Sequence, residues 1–131
     1  MNRLDYPYDE TYYPAMPILP VAVDGYAGQP PLPVSALIDS GADGTMIPID
    51  VLESTGALYE DTVNMRGVLG PGEPVDRYTV GIQLGPLSIH GIHAVALPIG
   101  ELSILGRDVL NQLAVTLNGP AHITEIDGTT L

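Results

Sequence analysis

The residues of this chain best suited to chemistry are Asp39, Ser40 and Gly41. They follow the apolar run Ala36-Leu37-Ile38 and are themselves followed by Ala42. A strand of that character delivers a carboxylate onto a tight glycine turn. Burying such a charge is costly unless it is paired or used. The triplet also has a plainer reading, a turn whose Asp and Ser side chains bond nearby backbone amides. Taken alone, Asp-Ser-Gly favours the plainer reading.

Other chemistries find less support. His90, His93 and His122 stand without metal-ligand company, because the chain has no Cys and no H-E-x-x-H. Each is better read as a surface or strand-packing residue, and neither a metal nor a cofactor is expected. The glycines of residues 67–72 are not a phosphate loop, since no Lys follows them. Ser40 is not within G-x-S-x-G, which disfavours a serine hydrolase. Without Cys there is no disulfide and no thiol nucleophile.

Composition narrows the class further. The 131 residues suit one domain, and 45% are hydrophobic, so the chain can build a core. That core must be aliphatic, because Phe and Trp are absent and the aromatic content is seven Tyr. Net charge is −12, with sixteen acids against four Arg and no Lys. Nucleic acid is an unexpected partner, since phosphate contacts need basic residues. The charge serves solubility and, toward partners, a preference for basic or neutral ones. No stretch approaches a membrane span and no signal peptide is visible, so a cytoplasmic protein without membrane contact is expected.

The elements that must position Asp39 read as short strands. Residues 1–16 form an acidic arm rich in Tyr and Pro, with Pro7 and Pro14 opposing any helix. The domain proper runs from residue 17 to residue 131. Ile18 to Val23 is apolar and ends at the turn Asp24-Gly25, and Val34 to Ile38 is the next strand. Residues 48–55 suit a short helix stopped by Gly56. Residues 63–84 read as two strands around the turn Gly67-Val68-Leu69-Gly70-Pro71-Gly72. Residues 87–97 form another strand, with Gly91 marking a kink or bulge. Residues 102–105 make a short buried strand, residues 107–113 a helix with positions 109, 110 and 113 on one face, and residues 114–117 and 121–126 the last strands. Many short strands, Gly and Pro turns and little helix indicate an all-β barrel or sandwich.

The second motif, Leu102-Ser103-Ile104-Leu105-Gly106-Arg107-Asp108-Val109-Leu110, is an apolar strand, a Gly, an Arg and a helix. Together with the first it resembles the retropepsins, the retroviral-type aspartic peptidases. The resemblance runs from about Pro17 to Asn118 and is strongest in ALIDSGADGT (36–45) and ILGRDVLNQLAVTLN (104–118). Between them, Met65-Arg66-Gly67-Val68-Leu69-Gly70 sits where that family has its flap, a β-hairpin covering the substrate. The resemblance implies a closed barrel with a flap hairpin and one short C-terminal helix. It makes Asp39 the catalytic aspartate and Ser40 the hydroxyl that braces the two active loops across a dimer. It lets Gly41 admit the substrate backbone and pairs Asp43 with Arg107 as ions. It places Leu69 and Gly70 at the flap tip. Substrate contacts are then expected from Gly41, Ala42, Asp43, Gly67, Leu69, Gly70, Leu102 and Ile104.

The chain departs from the viral pattern in several places. Gly44 replaces an acidic residue, Glu101 lies near an otherwise apolar pocket rim, and the stretch between Gly44 and Met65 is longer. Thirteen residues continue past Asn118, whereas in the viral enzymes both termini build the dimer sheet. Peptide hydrolysis without a metal or covalent step needs an acid and a base on one water, and two carboxylates about 3 Å apart share one proton. This chain has one Asp-Ser-Gly, so a two-fold axis beside Asp39 would supply the second carboxylate. A homodimeric endopeptidase acting on peptide or protein substrates follows. The alternatives are a non-catalytic dimerisation or peptide-binding module of the same fold, and a structural or chaperone-like β-module.

Overall fold

The computed structural model describes residues 3–66 and 71–128. In chain order the elements are β1 (Arg3–Pro7), β2 (Ile18–Asp24), β3 (Leu32–Ile38), β4 (Met46–Pro48), α1 (Ile49–Ser54), β5 (Leu58–Met65), β6 (Glu73–Leu84), β7 (Leu87–Leu97), β8 (Ser103–Leu105), α2 (Arg107–Leu110), β9 (Ala114–Asn118) and β10 (Ile123–Asp127). The protein is all-β with two short helices. No helix among the described residues is long and apolar enough to cross a membrane.

The barrel follows from strands that bury alternate residues. In β2, Leu19, Val21 and Val23 point inward and are almost fully buried, the period of two that a half-buried strand requires. The order β2-β3-β8-β4-β7-β6 closes on itself when β6 returns to β2 through Ala22 opposite Gln83 and Val23 opposite Ile82. Closure removes the open edges that would otherwise invite pairing with other chains. The enclosed core is aliphatic, as the composition requires, with Leu19, Ile47, Leu52, Ile82, Ile89 and Leu105 among its largest buried members. Opposite Gly81, β7 carries the extra residue of a bulge at His90-Gly91, and Gly91 takes φ +69°. The kink expected there is this bulge, since a left-handed residue without a Cβ tolerates it.

Two connections carry the rest. The hairpin β5–β6 pairs from Leu58 opposite Thr79 to Met65 opposite Glu73, with a bulge between Tyr59 and Asp61 that shifts the register by one. A separate antiparallel sheet has the order β1-β10-β9, in which the first and last strands of the same chain pair, Arg3 opposite Asp127 through Pro7 opposite Ile123.

The structure revises three details of the sequence reading. Part of the acidic arm is a packed strand, β1, whose Leu4 and Tyr6 lie against the core. Its alternation was hidden by Pro7, which a strand end tolerates. Strand β4 was not expected, because three residues bounded by Pro48 leave too little pattern. The helix read over 107–113 is regular only to Leu110, after which Gln112 N bonds Val109 O and Leu113 N bonds Leu110 O in tighter turns.

Candidate active site

Strands β3 and β8 lie parallel, with Ala36, Leu37 and Ile38 opposite Ser103, Ile104 and Leu105. Both are apolar and both end at the same level. The two segments that follow them, Asp39 to Thr45 and Gly106 to Asp108, therefore emerge side by side. Asp39 N donates to Leu105 O at 3.1 Å, and Arg107 N donates to Ala42 O at 2.9 Å. Within the turn, Ala42 N donates to Asp39 O at 3.1 Å and Gly41 N to Asp39 Oδ1 at 2.9 Å. Asp39 is half-buried, and its Oδ2 takes no hydrogen bond among the described residues. Ser40 is exposed, and its hydroxyl likewise has no partner within the described residues.

Two polar clamps hold the segments together. In the outer one, Arg107 pairs its Nη2 with Asp43 Oδ1 and donates from Nη1 to Ser40 O at 2.7 Å. The Asp43 side chain is 95% exposed, so this clamp is open to water. The inner clamp is partly buried. Thr45, fully buried, donates from its hydroxyl to Asp108 Oδ1 at 2.8 Å and from its backbone N to Asp108 Oδ2 at 3.1 Å. Its hydroxyl also accepts from Gly106 N at 3.2 Å. Gly106 needs to lack a side chain, because a Cβ there would meet the Gly44 backbone at 2.5–2.9 Å. The sequence reading found the outer clamp and missed the inner. Thr45 closes the first motif and Asp108 sits inside the second, but a turn Thr and a helix-start Asp have ordinary local uses that mask a long-range pair.

A cleft of about 810 Å³ opens beside the turn. Residues 41–44 form one side, Met46 and Val95 the floor, and the hairpin residues Val63, Val75 and Arg77 the far wall, with Arg66 and His93 also lining it. Gly41, Ala42 and Asp43 thus line one cleft. Leu102 does not join them. It lines a separate groove of about 330 Å³ with Tyr12 and Glu101. Ile104, paired in β8 with Leu37 and Met46 on the neighbouring strands, lines neither. Gly67, Leu69 and Gly70 lie outside the described residues.

The far wall carries charge. Arg77 donates from Nε and Nη2 to Asp61 at 2.8 and 2.6 Å. That hydrogen-bonded pair holds the Asp61 carboxyl below the usual carboxylate range and raises the Arg77 guanidinium above its own. His93 Nδ1 pairs with Glu60 Oε2 alongside. No group of three or more His, Cys, Asp or Glu able to hold a metal occurs among the described residues.

Chemically, the turn offers one carboxylate with one oxygen free, beside a cleft. Within the chain the neighbouring carboxylates are already engaged, Asp43 by Arg107 and Asp108 by Thr45. A single carboxylate can take a proton from water but cannot at the same moment polarise the group that water attacks.

A family model described as aspartyl protease matches residues 19–109, the span that contains both clamps and Asp39. Among solved structures, a retropepsin-like aspartic protease from Rickettsia conorii is similar with a TM-score of 0.65 at 11% sequence identity, covering 95% of this chain and 90% of that chain. The EIAV protease complexed with the inhibitor HBY-793 is similar with a TM-score of 0.52 at 20% identity, covering 73% of this chain and 86% of that one. At these identities the structures speak to fold. No curated protein matches the chain.

Proposed function

Because the chain belongs to the aspartyl protease family, we propose that it is a homodimeric endopeptidase whose active centre is formed by two Asp39 carboxylates, one from each copy. The observation that carries this reading is the state of Asp39. It follows an apolar strand, is half-buried, and among the described residues keeps Oδ2 unengaged while the nearby carboxylates Asp43 and Asp108 are engaged by Arg107 and Thr45.

A second copy related by a two-fold axis supplies what one chain lacks. Two carboxylates brought within about 3 Å cannot both ionise cheaply and hold one proton between them. The ionised member takes a proton from a water whose oxygen attacks the scissile carbonyl carbon. The protonated member donates to the carbonyl oxygen as it becomes a hydroxyl. When the tetrahedral carbon collapses, the C–N bond breaks, the amine nitrogen takes up the dyad's proton, and one hydroxyl of the tetrahedral carbon returns its proton to the dyad as the C=O bond re-forms, which restores the shared-proton state. The exposed Ser40 hydroxyl is the group on this turn free to bond the partner's turn. The hairpin β5–β6 is the lid, placed to exclude water from the cleft beneath it.

Asp39→Asn tests the reading. An amide can still accept the Gly41 N–H through Oδ1, so the turn should persist, but it cannot act as base, and cleavage of unfolded protein or peptide substrates should fall to background. The wild-type protein should sediment as a dimer and bind a statine-type transition-state mimic at one per dimer, with activity greatest on the acid side of neutrality. Wild-type rates in Asp39→Asn, or a monomer that retains activity, would overturn it.

A further inference from the structure

The chain carries four cations beside its sixteen acids, and they are not spread evenly. Arg3 is engaged by Asp5 and Glu125 on the β1-β10-β9 sheet, far in sequence from the turn. Arg107 clamps Asp43 at the edge of the cleft. The other two, Arg66 and Arg77, line the cleft itself. In a molecule of net charge −12, both remaining guanidiniums thus line one cleft, whose lining carboxylates Asp43 and Asp108 are already engaged by Arg107 and Thr45.

Neither is fully used. Arg77 gives Nε and Nη2 to Asp61, and its Nη1 takes no hydrogen bond among the described residues. Arg66, on the arm of the hairpin just past β5, takes part in no hydrogen bond or ion pair among the described residues. The rest of the lining includes the apolar Met46, Val63, Val75 and Val95 together with Asn64, His93 and the engaged carboxylates Asp43 and Asp108. A side chain entering this space passes apolar surface and arrives at guanidinium N–H donors. The group that complements both is a carboxylate at the end of a short aliphatic stem, since guanidinium and carboxylate form charge-assisted bonds.

Resting on the proposed peptidase reading, we propose that this cleft selects peptides with a glutamate or aspartate side chain in the position that reaches the hairpin wall, received by Arg77 through Nη1 and by Arg66. The net charge does not oppose this. Long-range repulsion between the protein and an acidic peptide is screened over about 8 Å at physiological salt, whereas a guanidinium acts on the carboxylate at hydrogen-bond distance. Acidic clusters along a peptide should still slow its approach, while one carboxylate in this position should strengthen its hold.

The test uses peptide pairs that differ only by Glu or Gln, scanned through each position of a cleaved sequence. Hydrolysis by the wild-type protein is followed in parallel with binding of the same pairs by Asp39→Asn. Expected is one position at which Glu is preferred over Gln by about tenfold, the worth of one hydrogen bond to a charged group. Arg77→Gln should collapse that ratio toward one, and Arg66→Gln should reduce it. Asp61→Asn, which withdraws the competing carboxylate, should raise it. The opposed responses of Arg77→Gln and Asp61→Asn separate a subsite from mere damage to the hairpin. Equal binding of Glu and Gln peptides at every position, or a ratio indifferent to both variants, overturns the subsite while leaving the peptidase reading intact. Glu-selective binding without hydrolysis of any peptide supports the subsite and overturns the peptidase reading.

Discussion

Gly106 sits with its bare Cα against the carbonyl of Gly44, so close that a Cβ would fall 2.5 Å from the carbonyl carbon and 2.6 Å from its oxygen. Both neighbours are backbone, and neither can swing aside as a side chain end would. The contact sets how near the two motif segments approach, and thereby the hydrogen bonds between them. Gly106→Ala should therefore cost at least about 2 kcal/mol in chemical denaturation, in the range of overpacking a buried site. An alanine variant as stable as the wild type would mean that the segments have slack.

The two clamps should differ in what they support. Asp108→Ala leaves the buried Thr45 hydroxyl and amide without their acceptor, and an unsatisfied buried group costs about 1–3 kcal/mol. A loss of about 2 kcal/mol in unfolding free energy by urea denaturation is expected. Arg107→Lys alters a water-exposed pair, for which stability effects stay below about 1 kcal/mol. Lys lacks the planar fork that reaches Asp43 and the Ser40 carbonyl together. Peptidase activity should drop in Arg107→Lys far more than thermal stability does.

Removing residues 1–8 should weaken the fold of each chain. Strand β1 pairs with β10, and Leu4 and Tyr6 pack on the core that contains the fully buried Ile126. Withdrawing two such side chains forfeits about 3 kcal/mol of burial. The lowered unfolding midpoint should be independent of protein concentration. A loss that vanishes at high concentration would instead assign β1 to contacts between copies.

The pair of Asp61 and Arg77 predicts an acid limb. Its carboxyl is held below the usual range chiefly by the hydrogen bond from Arg77. A depressed carboxylate adds stability above its unfolded pKa of about 3.9, and that contribution disappears as pH falls through the lower folded value. Hydrogen-exchange protection in β5 and β6, measured against the intrinsic rate at each pH, should fall below about pH 4, and Asp61→Asn should flatten that fall. An unchanged profile in the variant would remove Asp61 from the hairpin's acid response.

Much of the barrel was legible because its signals are local. The alternation of Leu19, Val21 and Val23, the turn at Asp24-Gly25, the bulge glycine at position 91 and the apolar approach to Asp39 each follow from a few adjacent residues. The aliphatic core followed from composition, since no Phe or Trp was there to fill it. The pairing of Arg107 with Asp43 came from the resemblance to the retropepsins, not from either segment's own pattern.

What the tertiary structure alone decided are relations between residues distant in sequence. Thr45 meets Asp108 across 63 positions because β3 and β8 end at one level, and no periodicity in either segment encodes that parallel register. Residues Arg3–Pro7 become a strand only because β10 arrives to accept them, since a lone five-residue segment cannot satisfy its own backbone. Leu102 turned to a different groove from the one holding Gly41, and Arg77 and His93 turned into that cleft. In a strand, one position of register exchanges the two faces. The sequence therefore points to Asp39, while closure of the barrel decides which residues line the cleft beside its turn.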